Sequence, residues 1–114
     1  MNDEALYVNY ADGVKRVMNN SALYARLLAK FRDGPGIAAL EAAFSGGDLR
    51  RVQGETHTLK GVAANLSLEA LAAACLALEE RARAGELDGA GLESLRAVFA
   101  ATLGEIDRVT AANG

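Results

Sequence analysis

Cysteine, proline, histidine and tryptophan are nearly missing from this 114-residue chain, which has one Cys, one Pro, one His and no Trp. The lone Cys75 cannot close an internal disulfide, and with no Cys or His at ligand spacing around it a structural metal site is excluded. Its simplest use is as a small apolar residue buried on a helix. Aromatic residues are only 5% of the chain, and β-branched residues are also few, which argues against strands. Neither sign of charge dominates. Twelve basic residues against 15 acidic ones leave a net charge of −3, so there is no broad basic surface to bind a nucleic-acid backbone. No apolar run approaches the roughly eighteen residues of a membrane span, and the N-terminal stretch lacks a basic-then-apolar leader with a cleavage site. A cytoplasmic protein with no membrane segment is the expectation.

What is present favours helices. Apolar residues make up 51% and charged residues 24%, with Ala and Leu dominant, a composition that folds around a core and is not that of a disordered chain. No composition shift, repeat or low-complexity tract divides the sequence, so residues 1–114 are expected to form one domain. Asp3 to Tyr10 can form a short first helix, and Gly13 opens a second brief helical piece carrying Val14, Val17 and Met18. Both have the character of a lid. Asn19-Asn20-Ser21 reads as a break and N-cap, after which Leu23, Leu27, Leu28 and Phe31 keep a helical period to Asp33-Gly34. Pro35 can start the next helix, with Ile37, Leu40 and Phe44, ending at Ser45-Gly46-Gly47.

Asp48 then caps a long amphipathic helix on which Leu49, Val52, Leu59, Val62, Ala63 and Leu66 recur at spacings of three and four. Ser67 reads as the cap of its successor, whose buried stripe is Leu68, Leu71, Ala72, Cys75, Leu78 and Ala82, with Arg83 and Gly85 at its end. Gly85 to Gly91 reads as a turn. The last helix runs on Leu92, Leu95, Val98, Phe99, Leu103, Ile106 and Val109. The expected fold is all-α, an antiparallel up-down-up-down four-helix bundle with short N-terminal capping helices.

On the long helix, Val52, Thr56, Leu59, Ala63 and Leu66 share the core-facing side, and His57, the only histidine, falls almost opposite. Lys60 and Gly61 stand three and four residues after it, the neighbouring positions on a helix surface, with Cβ atoms about 5–6 Å away. Glycine inside a helix costs about 1 kcal/mol relative to alanine. Here it leaves a gap through which another protein can close over the imidazole, and the ammonium beside it suits a group of about −2 charge. Free imidazole titrates near 6.5, so close to neutral pH a ring nitrogen can attack phosphorus without a dedicated base. No phosphate-binding glycine loop or kinase signature accompanies it. Arg50 and Arg51 lie about two turns away, roughly 9–10 Å along the axis, and read as a solvated basic face. Glu79 and Arg83, at i and i+4, can pair along their own helix.

His57-Thr58-Leu59-Lys60-Gly61, followed by Val-Ala-Ala-Asn-Leu and by Leu68, Leu71, Cys75, Leu78 and Glu79, resembles the histidine-containing phosphotransfer (HPt) domain of bacterial multistep phosphorelays. Upstream, Gly13-Val-Lys-Arg-Val, Leu23-Tyr24, Leu27-Leu28, Phe31, Leu40 to Ala43 and Gly47-Asp48-Leu49 are similar to it as well. The resemblance implies that His57 takes a phosphoryl group, on its outward Nε2, from a phospho-aspartyl receiver domain and passes it to another. Lys60 then neutralises the group, Gly61 leaves room for the receiver, and Glu79 hydrogen-bonds the other ring nitrogen and fixes the tautomer. Gln53 and Ala64 are candidates for the docking surface. The implied partners are response-regulator receivers and a hybrid sensor histidine kinase. No cofactor of its own is implied, the Mg²⁺ belonging to the receiver, and a monomer is expected. The starting methionine and full set of helices favour a free-standing protein.

Two positions depart from the family pattern. Ser67 stands where glycine is usual, and Thr56 where a small apolar residue is commoner. Two other readings of the chain are a helical adaptor or inhibitor that binds a kinase or receiver without transfer, and an enzyme using His57 as a general base. The retained His57, Lys60 and Gly61 disfavour the first, and the lack of a convergent polar set disfavours the second.

Overall fold

The computed structural model of the protein describes residues 5–113, which form six helices and no strand. These are α1 (Tyr10–Arg16), α2 (Ser21–Arg32), α3 (Ala38–Ser45), α4 (Leu49–Asn65), α5 (Glu69–Arg83) and α6 (Gly89–Asn113). Their starts follow side-chain capping. Asn20 accepts from the Leu23 amide, Asp48 from the Arg51 amide and Asp88 from the Gly91 amide, each contact contributing about 1 kcal/mol. The Asp88 cap starts α6 inside the stretch that the sequence reads as a turn. Gly47 and Gly85 end their helices with φ of +69° and +88°, where a side chain would be strained.

α4 packs most extensively against α5, α6 lies against α5 and α2, and α3 lies against α4. The core these faces enclose includes Leu28, Leu40, Val52, Ala63, Leu71, Cys75, Leu78, Leu95 and Ile106. Burial pushes the Cys75 thiol up to about 12, with the Glu79 charge adding to the effect, so the thiol stays protonated. Thr56 and Thr102 are also fully buried. Each returns its hydroxyl to its own helix, Thr56 donating to the carbonyls of Val52 and Gln53 and Thr102 to that of Val98. A hydroxyl satisfied in this way can sit in a core without an unmet hydrogen bond, which is how Thr56 replaces an apolar residue before His57. Leu59 and Leu66 are only half-buried and Val62 is 42% exposed. These residues look into an apolar groove of about 580 Å³ between α2, α3 and α4, which Phe31 and Ile37 also line.

The N-terminal region departs from expectation. Asp3 and Glu4 lie outside the described residues, and residues 5–9 form no helix. Their backbone groups are taken by α5 and the turn before it. The Leu6 amide donates to Glu69 Oε1, the Leu6 carbonyl accepts from the Ala70 amide, and the Asn9 amide donates to the Ser67 carbonyl. The segment thus caps the open end of α5, and the first helix starts only at Tyr10, with Asn9 accepting from the Asp12 amide. Gly13 lies within α1, where a Cβ would stand 2.0 Å from the Tyr24 ring, and the Tyr24 hydroxyl donates to the Leu66 carbonyl at 2.6 Å. Pro35 does not begin α3 either. Gly36 has φ +67°, outside the helical region, and the helix starts at Ala38.

Ser67 is not a helix cap. It has φ +59° and is buried, a left-handed conformation costing a non-glycine residue about 1–2 kcal/mol. Its hydroxyl donates to Asp12 Oδ2 at 2.6 Å, and a hydrogen bond to a charged group is stronger than one between neutral groups. The bond offsets the strain, so a serine holds a turn suited to glycine and ties α1 to it. This contact, with the Arg16 guanidinium beside it, holds the Asp12 carboxyl below the usual carboxylate range.

Candidate functional site

The candidate site stands where α4 and α5 lie side by side. His57 projects from mid-α4 with 70% of its side chain exposed, opposite the buried Val52, Thr56 and Ala63. Across from it Glu79 is buried, only 1% exposed, and a carboxylate so placed would be strongly penalised if unpaired. It is paired three times. Lys60 Nζ donates to Oε1 at 2.8 Å, an Arg83 guanidinium nitrogen donates to Oε2 at 3.0 Å, and His57 Nδ1 lies 3.1 Å from Oε2. The Lys60 hydrogen bond, against the cost of burial and with help from His57, holds the Glu79 carboxyl below its usual range. An ionised carboxylate only accepts, so Nδ1 carries the ring proton and the lone pair is left on Nε2.

Arg83 therefore does more than pair along its helix, since the carboxylate it grips also holds the histidine. Lys60 is 28% exposed along its side chain and faces Glu79 in this state. Gly61 is exposed, with nothing within 4 Å of where a Cβ would be. Gln53 lines a shallow depression around His57, together with Arg50, Gly54, Glu79 and Arg83. Ala64 is exposed further along α4 and does not line that depression.

Two features of the site were missed in the sequence. Gly54, three residues before His57, is a second interior glycine whose Cβ would also meet nothing within 4 Å; the reasoning that singled out Gly61 applies to it unchanged. Arg50, read as part of a solvated face, stands on the rim of the depression. Among the described residues no group of three His, Cys, Asp or Glu side chains is placed to hold a metal ion, and no helix is long and apolar enough to cross a membrane.

A helical protein that offers one histidine to solvent and holds the ring from behind with a buried carboxylate has the architecture of a group carrier. The depression beside that ring is shallow and open to solvent. The family model for the Hpt domain matches residues 34–109, which span α3 to α5 and most of α6, and the chain belongs to that family. No curated protein and no solved structure matches it. Members of the family perform histidine phosphotransfer in phosphorelays, as phosphocarriers and not as kinases or phosphatases, and they interact with response-regulator receivers and kinases.

Proposed function

We propose that this protein is a phosphorelay carrier that accepts a phosphoryl group on Nε2 of His57 from a phospho-aspartyl receiver domain and delivers it to the receiver of another response regulator. The observation that carries this reading is the pairing of an exposed His57 with a buried Glu79 at 3.1 Å. The carboxylate fixes the tautomer with a lone pair on the outward nitrogen and stabilises the positive charge the ring gains as that nitrogen bonds to phosphorus. In the transfer the Nε2 lone pair forms the N–P bond while the aspartyl O–P bond breaks, its electrons going to the donor's carboxylate. The reverse step returns the group to a second aspartate.

Lys60 neutralises the phosphoryl oxygens by turning from Glu79, leaving that carboxylate to Arg83 and His57. Gly61 keeps the approach open, and Gln53 and Ala64 belong to the receiver's footprint. The chain brings no cofactor of its own, and Mg²⁺ sits with the receiver. We further read residues 1–114 as one domain in which α2, α4, α5 and α6 form an antiparallel up-down-up-down bundle, monomeric and cytoplasmic, with a hybrid sensor kinase upstream. The adaptor reading has no observation in its favour.

Incubation with a phosphorylated receiver tests the function. The protein should acquire a label that is lost in acid and kept in alkali, as a phosphoramidate is, and His57→Gln should acquire none. A His57→Gln protein that still takes the label would overturn the assignment.

A further inference from the structure

Resting on that reading, we propose that the face of α4 carrying Arg50, Gly54, His57 and Gly61 is one continuous docking track, with Arg50 gripping acidic residues at the rim of the receiver's phosphorylation pocket and Gly54 admitting its backbone. At about 100° per residue these positions fall within about 60° of one another around the helix, over about 16 Å of its length. The track extends the site by two turns toward the N-terminus of α4.

Two independent observations place it there. The first is Gly54. An interior helical glycine weakens the helix, and the chain gains no packing from this one, since the space a Cβ would occupy is empty. Gly13 is the contrast, because a Cβ there would strike Tyr24 at 2.0 Å. Gly104 inside α6 has the same empty surroundings, so what marks Gly54 is its place: it lines the depression that holds His57 and, like Gly61, leaves the approach to that ring bare.

The second is Arg50. It lies in the first turn of α4, where its positive charge meets the positive end of the helix dipole, offset in part by the Asp48 cap. Among the described residues Arg26, Arg50 and Arg51 have no ion-pair partner, whereas Arg16, Arg32, Arg81, Arg83, Arg96 and Arg108 all have one; of the three, Arg50 alone lines the depression that holds His57. An exposed cation on the rim of the depression that holds His57 is placed to meet an anionic group of whatever docks there. A protein that carries an aspartyl phosphate and binds Mg²⁺ must gather carboxylates around that site, so its mouth is acidic. Arg51, one residue on, is turned about 100° away and does not line the depression.

The test uses each receiver domain of the source genome, phosphorylated with acetyl phosphate, and takes the one that labels the wild-type protein fastest. Arg50→Glu should lower kcat/KM for transfer about tenfold, mainly through KM, and the deficit should shrink as salt is raised. Arg51→Glu, the control for charge at the same turn, should change it by no more than about twofold. Gly54→Leu should lower transfer more than tenfold while raising Tm, because leucine favours the helix, and its His57 should still react with the small reagent phosphoramidate at the wild-type rate. Wild-type transfer rates in both Arg50→Glu and Gly54→Leu would overturn the track and leave the phosphocarrier reading intact. If no receiver labels the wild-type protein, that reading falls first and the track with it.

Discussion

Replacing Glu79 by glutamine keeps the shape of the side chain and removes the charge on which His57, Lys60 and Arg83 converge. Three hydrogen bonds involving a charged group are weakened, each with a net contribution of about 1.5–3 kcal/mol when fully buried. Two of the donors have a route back to water, since the Lys60 side chain is 28% exposed and that of Arg83 58%, and the buried carboxylate no longer has to be desolvated. The net loss at pH 7 should therefore be about 2 kcal/mol, or roughly 10 °C in Tm for a protein of this size. The pH dependence identifies the cause. Because the Glu79 carboxyl is held below its ordinary value of 4.5 by Lys60, its contribution to stability is complete above 4.5 and is lost as pH falls through the depressed value. Urea unfolding from pH 7 downward should show a constant gap between wild type and Glu79→Gln to about pH 5, closing in stronger acid. Equal stability at pH 7, or a gap that persists into acid, would refute the view that this carboxylate is ionised and triply bonded.

Ser67→Ala loses the bond to Asp12 but keeps the left-handed strain, and should lower the urea midpoint measurably. Ser67→Gly loses the same bond but relieves the strain, and its urea midpoint should fall by less than that of Ser67→Ala; the opposite order would show that the serine bond does not compensate the turn. Lys60→Ala should slow transfer about tenfold while lowering stability by no more than about 1 kcal/mol, because Arg83 still holds Glu79. A collapse of Tm in that variant would mean that Lys60 serves the fold. Gly61→Arg should remain folded, with nothing inside the chain to strike, yet exchange no phosphoryl group with receivers; unchanged transfer would reject the clearance role.

The central part of this architecture was legible because it is local. The apolar period of α4, its Asp48 cap and the orientation of His57 all follow from helical spacing within seventeen residues, and Ser21–Arg32 and the end of α5 follow from capping chemistry. What escaped notice is long-range. Residues 5–9 have the composition of a helix, but their hydrogen bonds are made to Glu69, Ala70 and Ser67, more than fifty positions away. Ser67 resembles a cap because the side chain is right for one, and only Asp12, brought in by α1, shows where its hydroxyl goes. Thr56 looked out of place until its hydroxyl was seen to close on its own helix. The convergence of Lys60 and Arg83 on Glu79 joins two helices and cannot be read from either one. Gly54 was legible in principle, since it carries the same signal as Gly61 on the other side of the histidine.

The most direct test is long-range ¹H–¹⁵N NMR of the His57 ring before and after phosphorylation. Before, the proton should be on Nδ1, facing Glu79, with Nε2 bare; afterwards phosphorus should be bonded to Nε2. A resting ring protonated on Nε2 alone, or a phosphoryl group on Nδ1, would contradict the assignment of the outward nitrogen as the acceptor.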